Sequence, residues 1–264
     1  MADTYALVTG SSGGLGAEIA SCLVRLHGRN VIVSGRSEKR LAPVVERLTK
    51  ENPAVKAVMI PADLSELDGA KALFAGIAAR GLVVDELVNN AGASEPGSAH
   101  ELDPHLVRSE MILDYVSPAT LTMLFLAHLA ENRLPGGRVI QILSMAARFH
   151  AMPNFAHYNS AKKAFDAYTK GVEYETRRAG IAVSFHRVYP GAISGTKLAT
   201  SNITEKNKGI ALSAAQVAQV IVAESRKGKR VIIPGFVNKL AYVAAPLTPQ
   251  FITDRAFYKT YGKG

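Results

Sequence analysis

The chain has 264 residues, of which 48% are apolar and 20% are charged, and this balance excludes a disordered or fibrous protein. Its length fits one large α/β domain, and no linker or internal repeat divides it, so we expect a single domain over residues 1–264. The formal net charge of +9 comes from basic residues spread along the chain, with one dense cluster at 226–230, which argues against nucleic-acid binding.

Short β-branched runs alternate with longer helical patterns along the chain. Strands are predicted at 5–9, 31–35, 56–60, 86–90, 138–144, 181–188 and 230–234. These runs are mostly continuous and apolar, as in strands that are buried on both faces of a parallel sheet. The alternation predicts an α/β fold with a doubly wound parallel sheet of about seven strands and helices on both faces. Such a sheet binds ligands at the carboxyl ends of its strands.

A glycine-rich turn, TGSSGGLG, follows the first predicted strand and opens a helix. Glycines allow a pyrophosphate to approach the backbone amides, and the helix N-terminus adds unpaired N–H groups and a positive dipole. The spacing G-x-x-x-G-x-G differs from the G-x-G-x-x-G fingerprint, because Ile19 stands at the last glycine's place. The turn nevertheless predicts a Rossmann-type phosphate cradle made of Gly10, Ser11, Ser12, Gly14, Leu15 and Gly16.

The end of the second predicted strand, SGRSEKR, indicates which cofactor the cradle would hold. An acidic residue here would bind the ribose 2′-hydroxyl of NAD, whereas an arginine accommodates the 2′-phosphate of NADP. The position is occupied by Arg36, and Lys39 and Arg40 follow it. We therefore expect NADP(H) to be preferred over NAD(H), with Arg36 as a cofactor-binding residue.

Taken together, the motifs resemble those of the short-chain dehydrogenase/reductase family, in the same order and over almost the whole chain. ADL at 62–64 resembles the family's adenine-contacting segment, and NNAG at 89–92 resembles its central-strand motif. YNSAK at 158–162 is similar to the catalytic tyrosine–lysine pair, and PG at 190–191 to the nicotinamide-side turn. The resemblance implies cofactor contacts from Asp63, Leu64, Asn90, Ala91, Gly92, Tyr158, Lys162, Pro190, Gly191 and Ile193.

The resemblance implies that Tyr158 exchanges a proton with the substrate oxygen, while Lys162 binds the nicotinamide ribose and lowers the tyrosine pKa. Residues at i and i+4 share a helix face with Cβ atoms roughly 5–6 Å apart. At that distance, and in an effective dielectric of about 20, a cation stabilises the phenolate by about 3 kcal/mol. We therefore expect the Tyr158 pKa to lie below its ordinary value of about 10.

Two positions depart from the family's usual pattern. Counting back thirteen residues from Tyr158 reaches Met145, which cannot donate a hydrogen bond, whereas matching the strand GRVIQILS puts Ser144 in the catalytic place. We favour Ser144, because loops absorb insertions and buried strands resist register shifts. The family's asparagine is replaced by Asp114, which keeps the shape but lacks the amide donor and introduces a charge.

These observations predict an NADPH-dependent oxidoreductase that interconverts an aldehyde or ketone and an alcohol by hydride transfer. The expected catalytic residues are Ser144, Tyr158, Lys162 and Asp114. The alternative is a catalytically weak NADP-binding regulatory protein on the same fold, which Asp114 and the serine offset keep open. No metal site is expected, since the histidines lack ligand spacing, and we expect most of them on the surface or in loops.

Two further segments are expected to shape the substrate site. A substrate loop is predicted at about 192–212, where Thr196 stands one place later than the family's threonine, and a second at 145–157. The C-terminal tail, about 235–264, is apolar, aromatic and basic. It could lie on an anionic membrane surface, close the active site or pack against a second subunit, and the resemblance implies a homodimer or homotetramer.

The remaining features indicate where the protein resides. The single cysteine, Cys22, cannot form an internal disulfide and lies in an apolar helical pattern, as expected for a core residue in a reducing compartment. The N-terminus has no basic leader, and no uninterrupted apolar run reaches the roughly 18–20 residues of a membrane span. We therefore expect a cytoplasmic protein that acts on a small-molecule substrate.

Overall fold

The computed structural model describes residues 3–194 and 211–261, with side chains described as far as residue 255. Its strands are β1 (Thr4–Thr9), β2 (Asn30–Ser34), β3 (Ala57–Met59), β4 (Val83–Asn89), β5 (Gly137–Ile142), β6 (Val183–Val188), β7 (Ile193–Ser194), β8 (Leu212–Ser213) and β9 (Val231–Ile232). Seven of them form one parallel sheet in the order β3-β2-β1-β4-β5-β6-β9. The predicted doubly wound sheet is confirmed.

Helices connect the strands and cover both faces of the sheet. They are α1 (Gly14–His27), α2 (Glu38–Glu51), α3 (Gly69–Ala78), α4 (Pro104–Met111), α5 (Ser117–Glu131), α6 (Ala156–Arg178), α7 (Ala214–Arg226), α8 (Phe236–Ala244) and α9 (Gln250–Tyr261). A π-helical turn, Ile112–Val116, joins α4 to α5, and 3-10 turns span Met145–Arg148 and Ala245–Leu247.

Successive side chains of β1 point to opposite faces of the sheet, so this strand contributes to two hydrophobic cores. Ala6 and Val8 lie in the core that also contains residues of α1, α2 and α7. Tyr5 and Leu7 point to the opposite face and lie in the core that contains residues of α3 and α5. All four of these residues are buried, which is why this part of the strand reads as a continuous apolar run.

The two edge strands are shorter than predicted. β3 pairs only with β2, over three residues, and β9 pairs only with β6, through Arg187 and Val188. An edge strand exposes unpaired N–H and C=O groups, and a short edge strand limits pairing with other chains. β5 also stops before Ser144, because the chain turns into the 3-10 turn Met145–Arg148, although the Met145 N–H still donates to the Pro190 carbonyl.

The continuous helical stretch Pro104–Glu131 is long and apolar enough to cross a membrane, judged by length and composition. Half of its most apolar window is buried inside the protein, and Leu121 and Phe125 pack against the sheet. A core helix of a globular domain passes the same test. Cys22 is buried as predicted.

The strand order reverses at β1. The chain runs from β1 through β2 to β3 on one side and then crosses to β4 on the other side of β1. In open α/β sheets, the crevice outside the carboxyl ends of the strands at such a point receives the ligand. β1 ends at Thr9 and β4 at Asn89, so the glycine-rich turn and the NNAG motif meet there.

Candidate active site

A cavity of about 820 Å³ lies at the carboxyl ends of the strands and extends from the glycine-rich turn to Tyr158. Its volume falls within the range of small-molecule and cofactor sites. Seventeen of the predicted site residues line it, namely Gly10, Ser12, Gly14, Leu15, Arg36, Asp63, Leu64, Asn90, Ala91, Gly92, Asp114, Ser144, Tyr158, Lys162, Pro190, Gly191 and Ile193. One cavity thus brings together residues that are spread over most of the chain.

Ser11 and Gly16 do not line the cavity, and both make close contacts with the backbone around the turn. The Ser11 hydroxyl donates to the Val8 carbonyl at 2.9 Å and accepts from the Ser34 N–H at 2.9 Å. A Cβ added at Gly16 would lie 2.5 Å from the Gly10 carbonyl oxygen. Both residues therefore fix the path of the turn against its neighbours.

The glycine turn presents backbone to the cavity. Gly10 has a positive φ of 64°, and a Cβ added there would lie 2.8 Å from the Ala91 Cα, so only glycine fits. Helix α1 begins after Gly13, and no side chain caps its first amides. These amides and the helix dipole favour an anion. The Arg40 guanidinium lies close to Gly13, and it lines the cavity together with Arg36.

Asn90 joins the ends of β1 and β4. Its side-chain amide donates to the Thr9 carbonyl at 2.9 Å, and the Thr9 hydroxyl accepts from the backbone N–H groups of Asn90 and Ala91. Farther along the same wall, Ser65 donates two hydrogen bonds to the Asp63 carboxylate, through its N–H at 3.0 Å and its hydroxyl at 2.6 Å. These bonds hold the cavity wall in place.

A buried ion pair lies beneath the opposite end of the cavity. The Lys162 Nζ lies 2.8 Å from the Asp114 Oδ1, and both side chains are almost completely buried. Asp114 is carried by the π-helical turn and also accepts a hydrogen bond from the Ala93 N–H at 3.3 Å. A Cβ at Gly92 would lie 2.7 Å from the Asp114 Oδ1, so the glycine makes room for the pair.

Tyr158 lies beside this pair on α6. The Lys162 Nζ is 5.8 Å from the centre of the tyrosine ring, close to the separation expected from the i, i+4 spacing. The Ser144 hydroxyl caps the following 3-10 turn by accepting from the Ala146 N–H at 3.1 Å. Met145 packs in a buried apolar cluster with Leu143. Of the two candidate positions, only Ser144 offers the cavity a hydroxyl.

The expected direction of the Tyr158 pKa is wrong for this structure. Burial raises the pKa of the phenol, and the charge of Asp114 raises it further. Lys162 and a hydrogen bond with Ser144 oppose these effects without overcoming them. The pKa of Lys162 is also raised, since the attraction of Asp114 outweighs the burial that lowers it. Burial raises the pKa of the Asp114 carboxyl.

A second buried pair, which the sequence analysis missed, lies one helical turn away. The Glu110 Oε2 lies 2.8 Å from the His157 Nε2, and the other Glu110 oxygen accepts from the Glu95 N–H at 2.9 Å. Glu110 thus connects α4 to α6 and to the segment after β4. The sequence does indicate that both residues lie near the site, because Glu110 is four residues before Asp114 and His157 directly precedes Tyr158.

The expectation that most histidines lie on the surface or in loops is wrong for His128, His157 and His186. His157 is buried beside Glu110, and His128 and His186 are buried as well. The His128 Nε2 accepts from the Val84 N–H at 2.9 Å, and burial lowers the pKa of both His128 and His186. Among the described residues, no group of three or more His, Cys, Asp or Glu side chains could hold a metal ion.

Helix α8, in the C-terminal tail, also reaches the cavity, in line with one of the three placements considered for the tail. Asn238 and Ala241 line it, and the Asn238 side chain donates to the Pro234 carbonyl at 2.7 Å. A Cβ at Gly191 would lie 2.4 Å from the Asn238 Oδ1, so the Pro190-Gly191 turn packs directly on this helix.

The wall near Tyr158 is largely apolar. Leu113, Met145, Phe149, Met152 and Phe155 line this part of the cavity. Of the predicted substrate loop, residues 192–194 and 211–212 are described, and β7 pairs with β8 in parallel through Ile193 and Leu212. The rest of that loop, including Thr196, lies outside the described residues.

Comparison with known proteins identifies the family. A family model described as short chain dehydrogenase matches residues 4–207 of the chain. The chain belongs to the short chain dehydrogenase family. It is therefore a member of a family of oxidoreductases whose general activity is the interconversion of alcohols and carbonyl compounds.

Two curated members of the short chain dehydrogenase family illustrate the similarity. Dehydrogenase/reductase SDR family member 7B of Xenopus laevis is 28% identical over 276 residues, which cover 98% of this chain and 83% of the relative. A fatty acyl-CoA reductase of Mycobacterium tuberculosis is 29% identical over 223 residues, which cover 83% of this chain and 72% of the relative. The similarity therefore extends well beyond the individual motifs.

Solved structures of other short chain dehydrogenases share the fold. A 7beta-hydroxysteroid dehydrogenase matches with a TM-score of 0.82 at 19% identity, covering 96% of each chain. A short-chain dehydrogenase from Sphingobium yanoikuyae, in complex with NADPH, matches with a TM-score of 0.78 at 19% identity, covering 95% of each chain. At these identities, the likeness shows the fold alone.

Proposed function

We propose that the protein is an NADPH-dependent reductase of aldehydes or ketones, with Tyr158 as the proton donor. One observation carries the proposal: Tyr158, Ser144 and Lys162 share a cavity with an uncapped helix N-terminus behind a glycine turn. Tyr158, Ser144 and Lys162 are suited to transferring a proton to an oxygen atom. The helix N-terminus behind the glycine turn is suited to binding a pyrophosphate. Their presence in one cavity favours a reaction between a dinucleotide and a carbonyl compound.

The residues present fit a nicotinamide dinucleotide. The amides of Ser12, Gly14 and Leu15 would hold the pyrophosphate, where a side chain at Gly10 would block the approach. Asp63 and Leu64 would contact the adenine end. At the other end, the nicotinamide and its ribose would lie against Asn90, Ala91, Gly92, Tyr158, Lys162, Pro190, Gly191 and Ile193.

Arg36 and Arg40 support a preference for NADP(H). Both line the cavity. Arg36 lies in the turn after β2, and Arg40, in the first turn of α2, lies beside Gly13 at the start of α1. Two guanidinium groups at this position match the charge of a ribose 2′-phosphate. We therefore place the 2′-phosphate between them and the glycine turn.

The chemistry that NADPH supplies when bound is a hydride for the carbonyl carbon. The Tyr158 hydroxyl gives its proton to the carbonyl oxygen, and Ser144 donates a hydrogen bond to the same oxygen. The Lys162 cation stabilises the phenolate left behind. Because the pKa of Tyr158 is raised, the phenol is protonated at neutral pH, which favours its role as a donor in reduction.

The apolar wall at Leu113, Phe149, Met152 and Phe155 favours a substrate with an apolar body attached to the carbonyl group. Fatty acyl-CoA reductase is the name of one relative, and a 7beta-hydroxysteroid dehydrogenase has the same fold. Long-chain aldehydes and cyclic ketones are therefore the first compounds to test.

NADPH consumption against a panel of aldehydes and ketones tests the proposal, with Tyr158→Phe measured in parallel. Proton transfer by a positioned side chain contributes about 100- to 10,000-fold to rate, so the variant should lose turnover by that factor. NADPH binding, followed by fluorescence titration, should stay within about threefold. Tyr174→Phe is the matched control, because Tyr174 lies on the same helix and is 55% exposed.

Equal turnover in the Tyr158→Phe variant and the wild type would remove Tyr158 from the mechanism. Tight NADPH binding without turnover of any compound by the wild type would instead favour the catalytically weak NADP-binding regulatory protein. The raised pKa of Tyr158 and the charge at Asp114 would then account for the absence of turnover.

A further inference from the structure

Exposed apolar side chains concentrate near the C-terminal end of the described chain. Among the residues whose side chains are described, seven of the twelve exposed large hydrophobic residues lie between positions 236 and 252. The other five are scattered singly, as is normal for a protein surface. A concentrated set of this kind marks an interaction site.

Helix α8 carries the centre of this set, with its apolar stripe facing outward. Phe236, Leu240 and Val243 are 75%, 59% and 64% exposed, and their spacing of i, i+4 and i+7 puts them on one face. Val237 is exposed beside them. A helix that only packs on its own core shows the opposite arrangement, with the polar face outward.

The orientation of α8 is fixed by its inner face. Tyr242 packs edge-on against the buried ring of Tyr189 at 4.8 Å, and the Arg148 guanidinium lies 4.2 Å above the Tyr242 ring. Asn238 and Ala241 line the cavity. The outward stripe is therefore presented by a helix that is anchored on its other side.

The exposed surface continues beyond α8. Leu247, in the following 3-10 turn, is 78% exposed, and Phe251, in α9, is 72% exposed. The His150 Nε2 lies 3.0 Å from the Pro246 carbonyl oxygen, which ties this turn to the active-site loop. We call Phe236, Val237, Leu240, Val243, Leu247 and Phe251 the apolar C-terminal surface.

The described cations near this surface are Lys239, Arg148 and Lys163. The Arg148 guanidinium lies over the Tyr242 ring, and the Lys163 Nζ donates to the carbonyl of His150, which contacts Pro246. Lys239 is exposed on α8, next to Leu240 in the chain. Apolar side chains flanked by cations complement a surface of fatty acyl chains and anionic headgroups.

We propose that the apolar C-terminal surface docks the protein on an anionic lipid bilayer. A second copy of the chain fits the surface less well, because a two-fold interface places the same patch on both sides and would oppose like charges. In the bilayer interface, by contrast, the side chains enter the acyl region and Lys239 meets lipid phosphate. The docking is independent of catalysis.

Vesicle flotation of the full chain tests the proposal, using phosphatidylcholine vesicles with and without phosphatidylserine. The wild type should float with the anionic vesicles, and binding should weaken as salt is raised. The double variant Leu240→Glu/Val243→Glu should bind at least about tenfold more weakly. Its matched control is Leu26→Glu/Leu67→Glu, because Leu26 and Leu67 are 56% and 54% exposed on other parts of the surface.

The Lys239→Glu variant tests the contribution of charge to vesicle binding separately from that of the apolar side chains. It should lower binding to phosphatidylserine vesicles several-fold, with a smaller salt dependence than the wild type. Circular dichroism confirms that each variant is folded. The proposal is overturned if the wild type does not float, or if folded Leu240→Glu/Val243→Glu binds as well as its control. Loss of a dimer by that variant in light scattering, without vesicle binding by the wild type, would assign the surface to a second copy.

Discussion

The two ends of the cavity are built in different ways. At the end that begins with Gly10, backbone forms the wall, and it is held by short hydrogen bonds from Ser11 and Asn90. At the end that contains Tyr158, side chains form the wall, and buried charges lie beneath it, including the Asp114–Lys162 pair. The first end depends on close approach of atoms, and the second on the balance of burial and charge.

This difference determines how substitutions at each end impair the protein. A side chain added to the glycine turn meets backbone atoms that cannot move without shifting a strand or a helix. A charge changed near Tyr158 leaves the shape intact but alters how tightly the phenol holds its proton. Steric substitutions should therefore act on cofactor use, and charge substitutions on pH dependence.

Among the substitutions that test this difference between the two ends, Gly16→Ala is expected to have the largest effect. Alanine in a helix gains about 1 kcal/mol over glycine, but the new Cβ would lie 2.5 Å from the Gly10 oxygen and 2.6 Å from the Asn90 Nδ2. Overpacking of this kind costs about 1–3 kcal/mol, so the steric clash outweighs the gain in helix propensity. Because a displacement of about 1 Å can cost about 100-fold, kcat/KM for NADPH should fall by that factor.

Gly171→Ala is the control for this substitution. Gly171 lies within α6, and a Cβ there would meet no atom within 4 Å. The change should leave kinetics unaltered and raise thermal stability by about 0.5–1 kcal/mol. If Gly16→Ala behaved like Gly171→Ala in both kinetics and thermal melting, close packing at the glycine turn would not limit cofactor use.

A smaller effect is expected from Arg36→Ala/Arg40→Ala, which removes charge from the same end without adding bulk. Hydrogen bonds to charged groups contribute about 1.5–3 kcal/mol, and exposure of both arginines favours the lower value. The ratio of kcat/KM for NADPH to that for NADH should therefore fall about tenfold. Activity with NADH should be unchanged, and an equal loss with both cofactors would contradict a 2′-phosphate contact.

Asp114→Asn should change the rate at neutral pH least, by only a few-fold, because it is nearly isosteric. Asp114 raises the pKa of Tyr158, so removing its charge should lower that pKa. Alcohol oxidation requires the deprotonated phenol, and its rising limb should therefore move to lower pH. A pH–rate profile measured in both directions tests this, and a profile that stays in place or moves to higher pH would contradict it.

Local features of the sequence predicted the glycine turn, the Tyr158–Lys162 spacing and the sheet, because each depends on residues close together in the chain. The direction of the Tyr158 pKa was not predicted, since it depends on burial and on Asp114, 44 positions away. The contact between Asn238 and the Gly191 turn likewise joins distant segments. A helical projection from Asp114 would have revealed Glu110.

The pairing of β7 with β8 has a consequence for how such a protein can change over evolution. Residues 193–194 lie beside residues 212–213, so both ends of the intervening segment are held at one point near the cavity. The entropy of closing a loop grows by only about 0.6 kcal/mol for each doubling of its length. Insertions, deletions and wholesale exchange between these anchors are therefore thermodynamically cheap. We expect substrate preference to diversify there while the cofactor cradle keeps its sequence.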